Sequence, residues 1–511
     1  MTATTVVTGI GITAPNGLGT EDYWKATLDG RSGIGPVTRF DASQYPATLA
    51  GEVPGFVAEE HIPSRLMPQT DHMTRLAMTA AAWAIDDAGV DAAALPEYGM
   101  GVVTAASGGA VEFGQRELQN LWSKGKEYVS AYQSFAWFYA VNTGQISIRH
   151  KMRGPSGVLL TEQAGGIDSL GHARRHIRKG IPLVVAGGVD AALCPWGWVP
   201  QLASGRMSTA GDPARAYLPF SPDACGYVAG EGGAILVTED AGSARERRAP
   251  QVYGEIAGYA ATLDPAPGSA RPPGLGRAAR NALADAGLTP ADIDVVFADA
   301  AGVPGPGPGG GRGDHRPLRP ARRARHRPQD HDRPAARRRR GPGRGHRPAR
   351  PSRRRHSPHR QRGSPGHGLP PRSGHRVTEG AGPARRAGAR PRSRWLQRGP
   401  RRTTACRDDG PGIRPERLRG HAMPITTTHV TLTDLTRMLR ESAGEEEGVD
   451  LDGDVIDTPF IELGYDSLAL LQVIGEIQRE YGVEIPDDAV VDAETPRALL
   501  DLINAGSTSA A

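Results

Sequence analysis

Two side chains stand where their surroundings could turn them to chemistry. The first is Gln163, in Thr161-Glu162-Gln163-Ala164-Gly165-Gly166, which follows apolar Gly157-Val158-Leu159-Leu160 and precedes the periodic stretch 167–179. An apolar strand that meets small residues and then a helix makes a sharp elbow that lifts one side chain into a site. Such a position carries a nucleophile when it holds an ionisable hydroxyl or thiol. Glutamine has neither, so covalent acyl transfer from residue 163 is excluded by its chemistry. The second is Ser467, in the run Phe460 to Leu471, where Asp466 or Ser467 caps a helix beginning at Leu468. A serine in that place is exposed at a helix start.

The elements that must position these residues differ sharply along the chain. Its 511 residues suffice for two or more domains. Cys194, Cys225 and Cys406 have no paired spacing, so neither a disulfide framework nor a metal site is indicated, and a reducing cytoplasm fits. Residues 1–12 lack a basic and then apolar leader, and no apolar run is long enough to span a membrane. The net charge of +5 averages three unlike segments. Residues 304–420 hold 34 Arg, no Lys and 7 acids, residues 423–511 hold 4 Arg against 19 acids, and residues 1–303 are mildly acidic.

Over residues 1–303, strands alternate with helices. Apolar Val6 to Ile12 ends in the turn Pro15-Asn16-Gly17, and Thr20 is the candidate cap of a helix closed by Gly30. Thr70 to Gly89 is a second helix with Met73, Leu76, Ala80 and Ala84 on one face; Met100 to Thr104 and Leu183 to Gly188 are further strands. This alternation predicts an α/β protein with a largely parallel, buried sheet.

Several stretches carry a family resemblance: Val7-Thr8-Gly9-Ile10-Gly11, Gly30 to Ile34, Gly154-Pro155-Ser156, the elbow, Ala186 to Ala191 and Pro219 to Gly232. In this order they resemble the landmarks of β-ketoacyl synthases of the thiolase-like ketosynthase fold. Condensing members keep Cys at the elbow. Gln in its place, with Tyr132 to Asn142, is similar to the chain-length factor, the ketosynthase β subunit of type II aromatic polyketide synthases. The resemblance implies a heterodimer with a Cys-bearing ketosynthase α subunit, and supply by a malonyl transferase. Polyketide-modifying enzymes would follow. It gives Gln163 two readings, an amide filling the space of a thiol or one that polarises a malonyl thioester carbonyl and favours decarboxylation. It also implies that Val111, Gly114 and Leu118, at i, i+3, i+7 on one helix face, line the tunnel that limits chain length. Their modest volumes would leave it deep; an ordinary packed helix is the alternative.

Tyr253 to Tyr259 and Ile293 to Ala298 read as strands flanking a helix from Gly276 to Ala286, the start of the second half of that fold. At about Pro304 the pattern stops, leaving the domain without its last quarter and with unpaired edges. Residues 304–422 are rich in Arg, Pro, Gly and Ala, with too little apolar surface to offset the entropy of folding, and disorder is expected. A basic nucleic-acid-binding arm would carry Lys, and Phe or Tyr for base stacking. Their absence favours GC-rich coding sequence read in a shifted frame.

Ordinary composition resumes at Met423. Phe460 to Leu471 resembles the acyl carrier protein signature, and residues 423–511 match an all-α four-helix carrier bundle: Thr433 to Arg440, Leu468 to Tyr481 with Leu468, Leu471, Ile474 and Ile477 inward, and a last helix from Pro496. The resemblance implies that Ser467 carries 4'-phosphopantetheine, attached by a phosphopantetheinyl transferase, at a helix N-terminus that favours its charge. The acids Asp466, Glu476 and Glu480 would steer the carrier onto basic partners. Two components of a minimal polyketide synthase are therefore expected, residues 1–303 and 423–511. The alternatives are a Gln-type malonyl-carrier decarboxylase and, from another class, nucleic-acid binding through the Arg-rich segment.

Overall fold

A computed structural model of the chain describes residues 3–266, 269–303, 429–483, 485 and 493–507. In order, the N-terminal part contains β1 (Thr5–Ala14), β2 (Gly17–Leu18), α1 (Thr20–Leu28), β3 (Ile34–Pro36), β4 (Leu49–Gly51), α2 (His72–Ala88), β5 (Met100–Ala105), α3 (Val111–Ser123) and α4 (Gln133–Ala136). It continues with α5 (Val141–Arg149), β6 (Ser156–Leu159), α6 (Gly165–Arg178), β7 (Leu183–Asp190), α7 (Pro195–Ala203), β8 (Gly232–Asp240), α8 (Ala241–Glu246), β9 (Gly254–Glu255) and α9 (Leu275–Ala286). The C-terminal part contributes α10 (Leu432–Ala443), α11 (Ser467–Tyr481) and α12 (Pro496–Ser507).

The main sheet has the order β2-β1-β8-β7-β5-β6, with β9 also on β1. Only β5 pairs in parallel, with β6 and β7; β8 returns antiparallel between β1 and β7. The sheet is therefore mixed, where the sequence predicts a largely parallel one. Continuous apolar runs report burial on both faces, and burial does not encode strand direction.

Alternate residues of the strands feed two cores. Val102 and Val185 join α2 in one cluster, whereas Val103, Val184 and Ala186 join Ala173 and Ile177 of α6 in the other. Alanines give α2 a narrow face that lies directly on β1: a Cβ at Gly9 or Gly11 would stand 2.0 or 1.9 Å from the carbonyl oxygens of Ala84 and Ala80. Asp71 caps this helix, its Oδ1 accepting from Thr74 N at 3.1 Å, and Gly89 ends it at φ +59°. The expected cap of α1 is not used. Gly19 precedes the helix and the Thr20 hydroxyl instead donates to the Ile10 carbonyl at 3.1 Å.

The expected second-half strands also differ. Only Gly254–Glu255 forms ladder bonds, and Ile293 to Ala298 is not a strand. A strand is stabilised by a partner, and among the described residues none lies beside 293–298. Val295, Val296 and Phe297 are consequently exposed.

In the C-terminal part, the expected inward residues Leu435, Met438 and Leu439 of α10 are buried. On α11 the buried stripe is Ala469, Leu470, Val473, Ile474 and Ile477, so Leu468 and Leu471 are turned partly outward relative to the expectation. Among the described residues three helices are present. The remaining helix of the expected four, like the segment 304–422, lies outside the described residues.

Candidate functional site

The elbow forms where the sequence places it. β6 ends at Leu159, Glu162–Ala164 makes one 3-10 turn, and α6 starts at Gly165. Glu162 is held at φ +52°, a left-handed conformation that costs a residue with a Cβ, and such strain collects at functional turns. Gly165 lets the turn sit against β5, because a Cβ there would lie 2.9 Å from that of Ala105. Gln163 is exposed at the tip, and among the described residues its amide has no hydrogen-bond partner. Close by, Asp190 at the end of β7 accepts from Ser107 N at 2.7 Å. Burial pushes its carboxyl above the usual range and the charge of Glu162 adds to the effect.

Val111, Gly114 and Leu118 share one side of α3, half-buried, buried and half-buried respectively. A residue that the sequence reading missed packs against this side. The ring of Trp196, on α7, lies so close that a Cβ at Gly114 would meet its Cζ3 at 2.9 Å, and the Trp196 amide donates to Gln115 Oε1 at 2.7 Å. The run Pro195-Trp196-Gly197-Trp198 signals a helix start. It does not say which indole faces inward; in the structure Trp198 is buried and Trp196 half-exposed.

A polar cluster on the other side of α3 was also missed. His72 Nε2 lies 3.1 Å from Glu231 Oε1, Arg39 Nε lies 3.5 Å from Glu231 Oε2, and Arg39 Nη2 donates to Glu112 Oε2 at 2.9 Å. Burial alone would raise the Glu231 carboxyl; the hydrogen bond and charge of His72, with Arg39, outweigh it and hold it below the ordinary value. Asp71 beside it is fully buried, and desolvation pushes its pKa up to about 6. Arg39, Asp71, His72 and Glu112 line a cleft of about 430 Å³ with Phe56, Arg75 and Arg116. The cluster ties the start of α2 to α3 and so fixes the helix that carries Gly114.

At the second site the structure decides between two candidate caps. Asp466 is the N-cap of α11, its Oδ1 accepting from Ala469 N at 2.8 Å, and Ser467 is the first helical residue. The Ser467 hydroxyl is exposed and, among the described residues, unpartnered. A free hydroxyl at the positive end of a 15-residue helix suits a phosphodiester. Of the three acids expected to steer the carrier, Glu476 pairs with Arg479 and Glu480 with Arg437, leaving Asp466 turned toward the N-terminal part.

Comparison with known families covers both parts of the chain. The model of the β-ketoacyl synthase N-terminal domain matches residues 3–242 and that of its C-terminal domain residues 253–308. The actinorhodin polyketide putative β-ketoacyl synthase 2 of Streptomyces coelicolor is 66% identical over 299 residues, 58% of this chain and 74% of that protein. The chain belongs to the β-ketoacyl synthase family. Within it, the relatives are of the β-subunit type of type II polyketide synthases: the tetracenomycin polyketide synthase ketoacyl synthase β subunit of Streptomyces glaucescens is 60% identical over 303 residues, 59% of this chain and 74% of that one.

Among solved structures, the ishigamide ketosynthase/chain length factor matches the ketosynthase-like part with a TM-score of 0.53 at 28% identity, over 59% of this chain and 74% of that chain. A type II acyl-carrier protein in complex with its ketosynthase, bound to the hexaketide, matches with a TM-score of 0.51 at 26% identity and the same coverage. The phosphopantetheine attachment site model matches residues 437–503, which indicates a covalently attached 4'-phosphopantetheine. No helix among the described residues is long and apolar enough to cross a membrane.

Proposed function

We propose that residues 1–303 serve as the non-condensing β-type half of a type II polyketide ketosynthase, and that residues 423–511 serve as a carrier with Ser467 as its attachment residue. The observation that carries the reading is the exposed Gln163 at the strained elbow. The backbone there presents a side chain as for a nucleophile, yet an amide cannot form or release an acyl bond. Carbon–carbon bond formation then falls to a Cys-bearing ketosynthase α subunit. Two features support that pairing: among the described residues β6 is an edge strand of the sheet, and Trp137, Phe138 and Tyr139, just before the helix bonded to it, are exposed. An apolar aromatic run beside an unpaired strand favours a protein partner.

In this reading Val111, Gly114, Leu118 and Trp196 set how much room the growing chain has. The unpartnered amide of Gln163 is free to donate to a malonyl thioester carbonyl. On the carrier, Asp466 takes the capping role, which leaves the Ser467 hydroxyl to be modified. The prosthetic arm supplies a terminal thiol that holds acyl groups as thioesters; the chain provides its exposed, electrostatically favourable anchor.

The test uses the full chain. Incubation with coenzyme A and a phosphopantetheinyl transferase should add the mass of one arm, lost in Ser467→Ala. After malonyl loading, polyketide should form only once a Cys-bearing ketosynthase is added. Absence of the adduct, or polyketide made by the chain alone, overturns the reading.

A further inference from the structure

The polar cluster at the start of α2 leaves hydrogen-bonding capacity unused. The cleft of about 430 Å³ beside it is walled by residues of the ketosynthase-like part alone. Arg39 is matched there to Glu112 and Glu231, and His72 to Glu231. Two other guanidiniums of the cleft keep free donors. Arg75 gives Nε to the Thr70 hydroxyl at 3.2 Å and Nη2 to the Met67 and Thr70 carbonyls at 2.7 and 2.9 Å. Arg116 gives Nε to Glu117 Oε1 at 3.1 Å and stands 4.5 Å from the centre of the Phe113 ring. Arg75 Nη1 and both amino ends of Arg116 are left without a partner among the described residues.

Three further observations point to a ligand. Burial holds Arg75 below the ordinary guanidinium value and the facing charge of Arg116 adds to the effect, while Asp71, Glu59 and Glu112 act in the opposite sense without bonding to it. Asp71, only 4% exposed, lines the same cleft; Thr74 takes its Oδ1, and its Oδ2 is buried with no hydrogen bond. An orphaned oxygen in a buried carboxyl is unfavourable until a proton or a ligand relieves it. Lastly, Phe56, Val57 and Ala58 form an apolar wall, and the Phe56 ring is held in place, stacked on His61 and edge-on to His72.

We propose that this cleft binds a small organic carboxylate, its charge held between Arg75 and Arg116 and its apolar body laid against Phe56 and Val57. A planar carboxylate accepts from two guanidiniums at once. A bare inorganic anion would leave the apolar wall unused. The ligand bridges α2, which carries Arg75, and α3, which carries Arg116 and, on its other side, Gly114, so occupancy braces the helix assigned to the tunnel. The added negative charge also disfavours ionised Asp71. Thr74, His72 and Arg75 favour the ionised form of that carboxyl, whereas burial and Glu112 oppose it and set its pKa at about 6. Binding therefore takes up a proton there and tightens as the pH falls through about 6. The proposal goes beyond the functional reading and needs neither Gln163 chemistry nor an arm on Ser467, so the two can fail separately.

Calorimetric titration of the full chain with benzoate tests it, with inorganic phosphate and benzylammonium as comparison probes. Benzoate should fill one saturable site and bind more tightly than either comparison ion. Arg116→Gln should weaken it by about tenfold or more. Val57→Glu, which sets a like charge on the exposed wall without removing a hydrogen bond, should weaken it as well. Val252→Glu, at an exposed valine outside the cleft, is the control and should leave the affinity unchanged. Affinity should rise about threefold or more from pH 7.5 to pH 5.5, and Asp71→Asn should lose that rise. No saturable benzoate site, equal binding of phosphate or benzylammonium, unchanged affinity in both Arg116→Gln and Val57→Glu, equal effects of Val252→Glu and Val57→Glu, or the parent's pH dependence retained in Asp71→Asn would each overturn the proposal.

Discussion

Asp71→Asn is the most informative perturbation of the ketosynthase-like part. Asp71 Oδ1 caps α2 through Thr74 N, and Oδ2 is buried without a hydrogen bond. Burial raises its pKa from 3.8 to about 6, with the Glu112 charge adding to the effect and the Thr74 bonds and His72 opposing it. The folded chain therefore keeps a proton that the unfolded chain has released. The contribution of Asp71 to stability is fully present below pH 3.8, is lost as the pH rises from there through about 6, and is flat above that. The loss amounts to about 3 kcal/mol in all, of which about 1 kcal/mol falls between pH 5 and pH 7.5. Asn keeps the capping oxygen and cannot ionise, so this slope should vanish. Urea unfolding of the full chain, followed by tryptophan fluorescence, reads the right part: six of the seven Trp lie in residues 1–303 and none in residues 423–511. The stability of the variant relative to the parent should increase by about 1 kcal/mol from pH 5 to pH 7.5. Parallel pH profiles would show that Asp71 is not the buried, desolvated carboxyl described above.

Three further outcomes follow from the site. Gly114→Ala replaces a helical glycine, worth about 1 kcal/mol of propensity, against a movable indole 2.9 Å away; the melting temperature should hold or rise while the reconstituted synthase shifts toward shorter polyketides, and an unchanged product spectrum would remove residue 114 from the tunnel. Gln163→Ala should leave stability within about 0.5 kcal/mol, since the residue is exposed, but should slow CO2 release from malonyl-carrier roughly 10²-fold or more if its amide supplies an oxyanion donor, and full release rates in the variant would assign that role elsewhere. The exposed run Val295-Val296-Phe297 makes isolated residues 1–303 prone to associate; Phe297→Asp should reduce light scattering on concentration, and equal scattering would place the sticky surface elsewhere.

The sequence alone determined both candidate positions. A strand, small residues and a helix must turn sharply, and an amide cannot be a nucleophile wherever it is placed, so Gln163 was legible from local grammar. Ser467 was legible because caps and helix starts are local as well. What local pattern could not decide was direction and partnership. Apolar runs in β7 and β8 record burial without strand polarity, so the mixed sheet emerged only from tertiary pairing. Ile293 to Ala298 has the composition of a strand but, with no neighbour among the described residues, makes no ladder. Trp196 against Gly114, and Arg65 beneath the carrier loop, join residues 82 and about 400 positions apart. Such contacts depend on which faces the fold brings together, and no short-range periodicity records that.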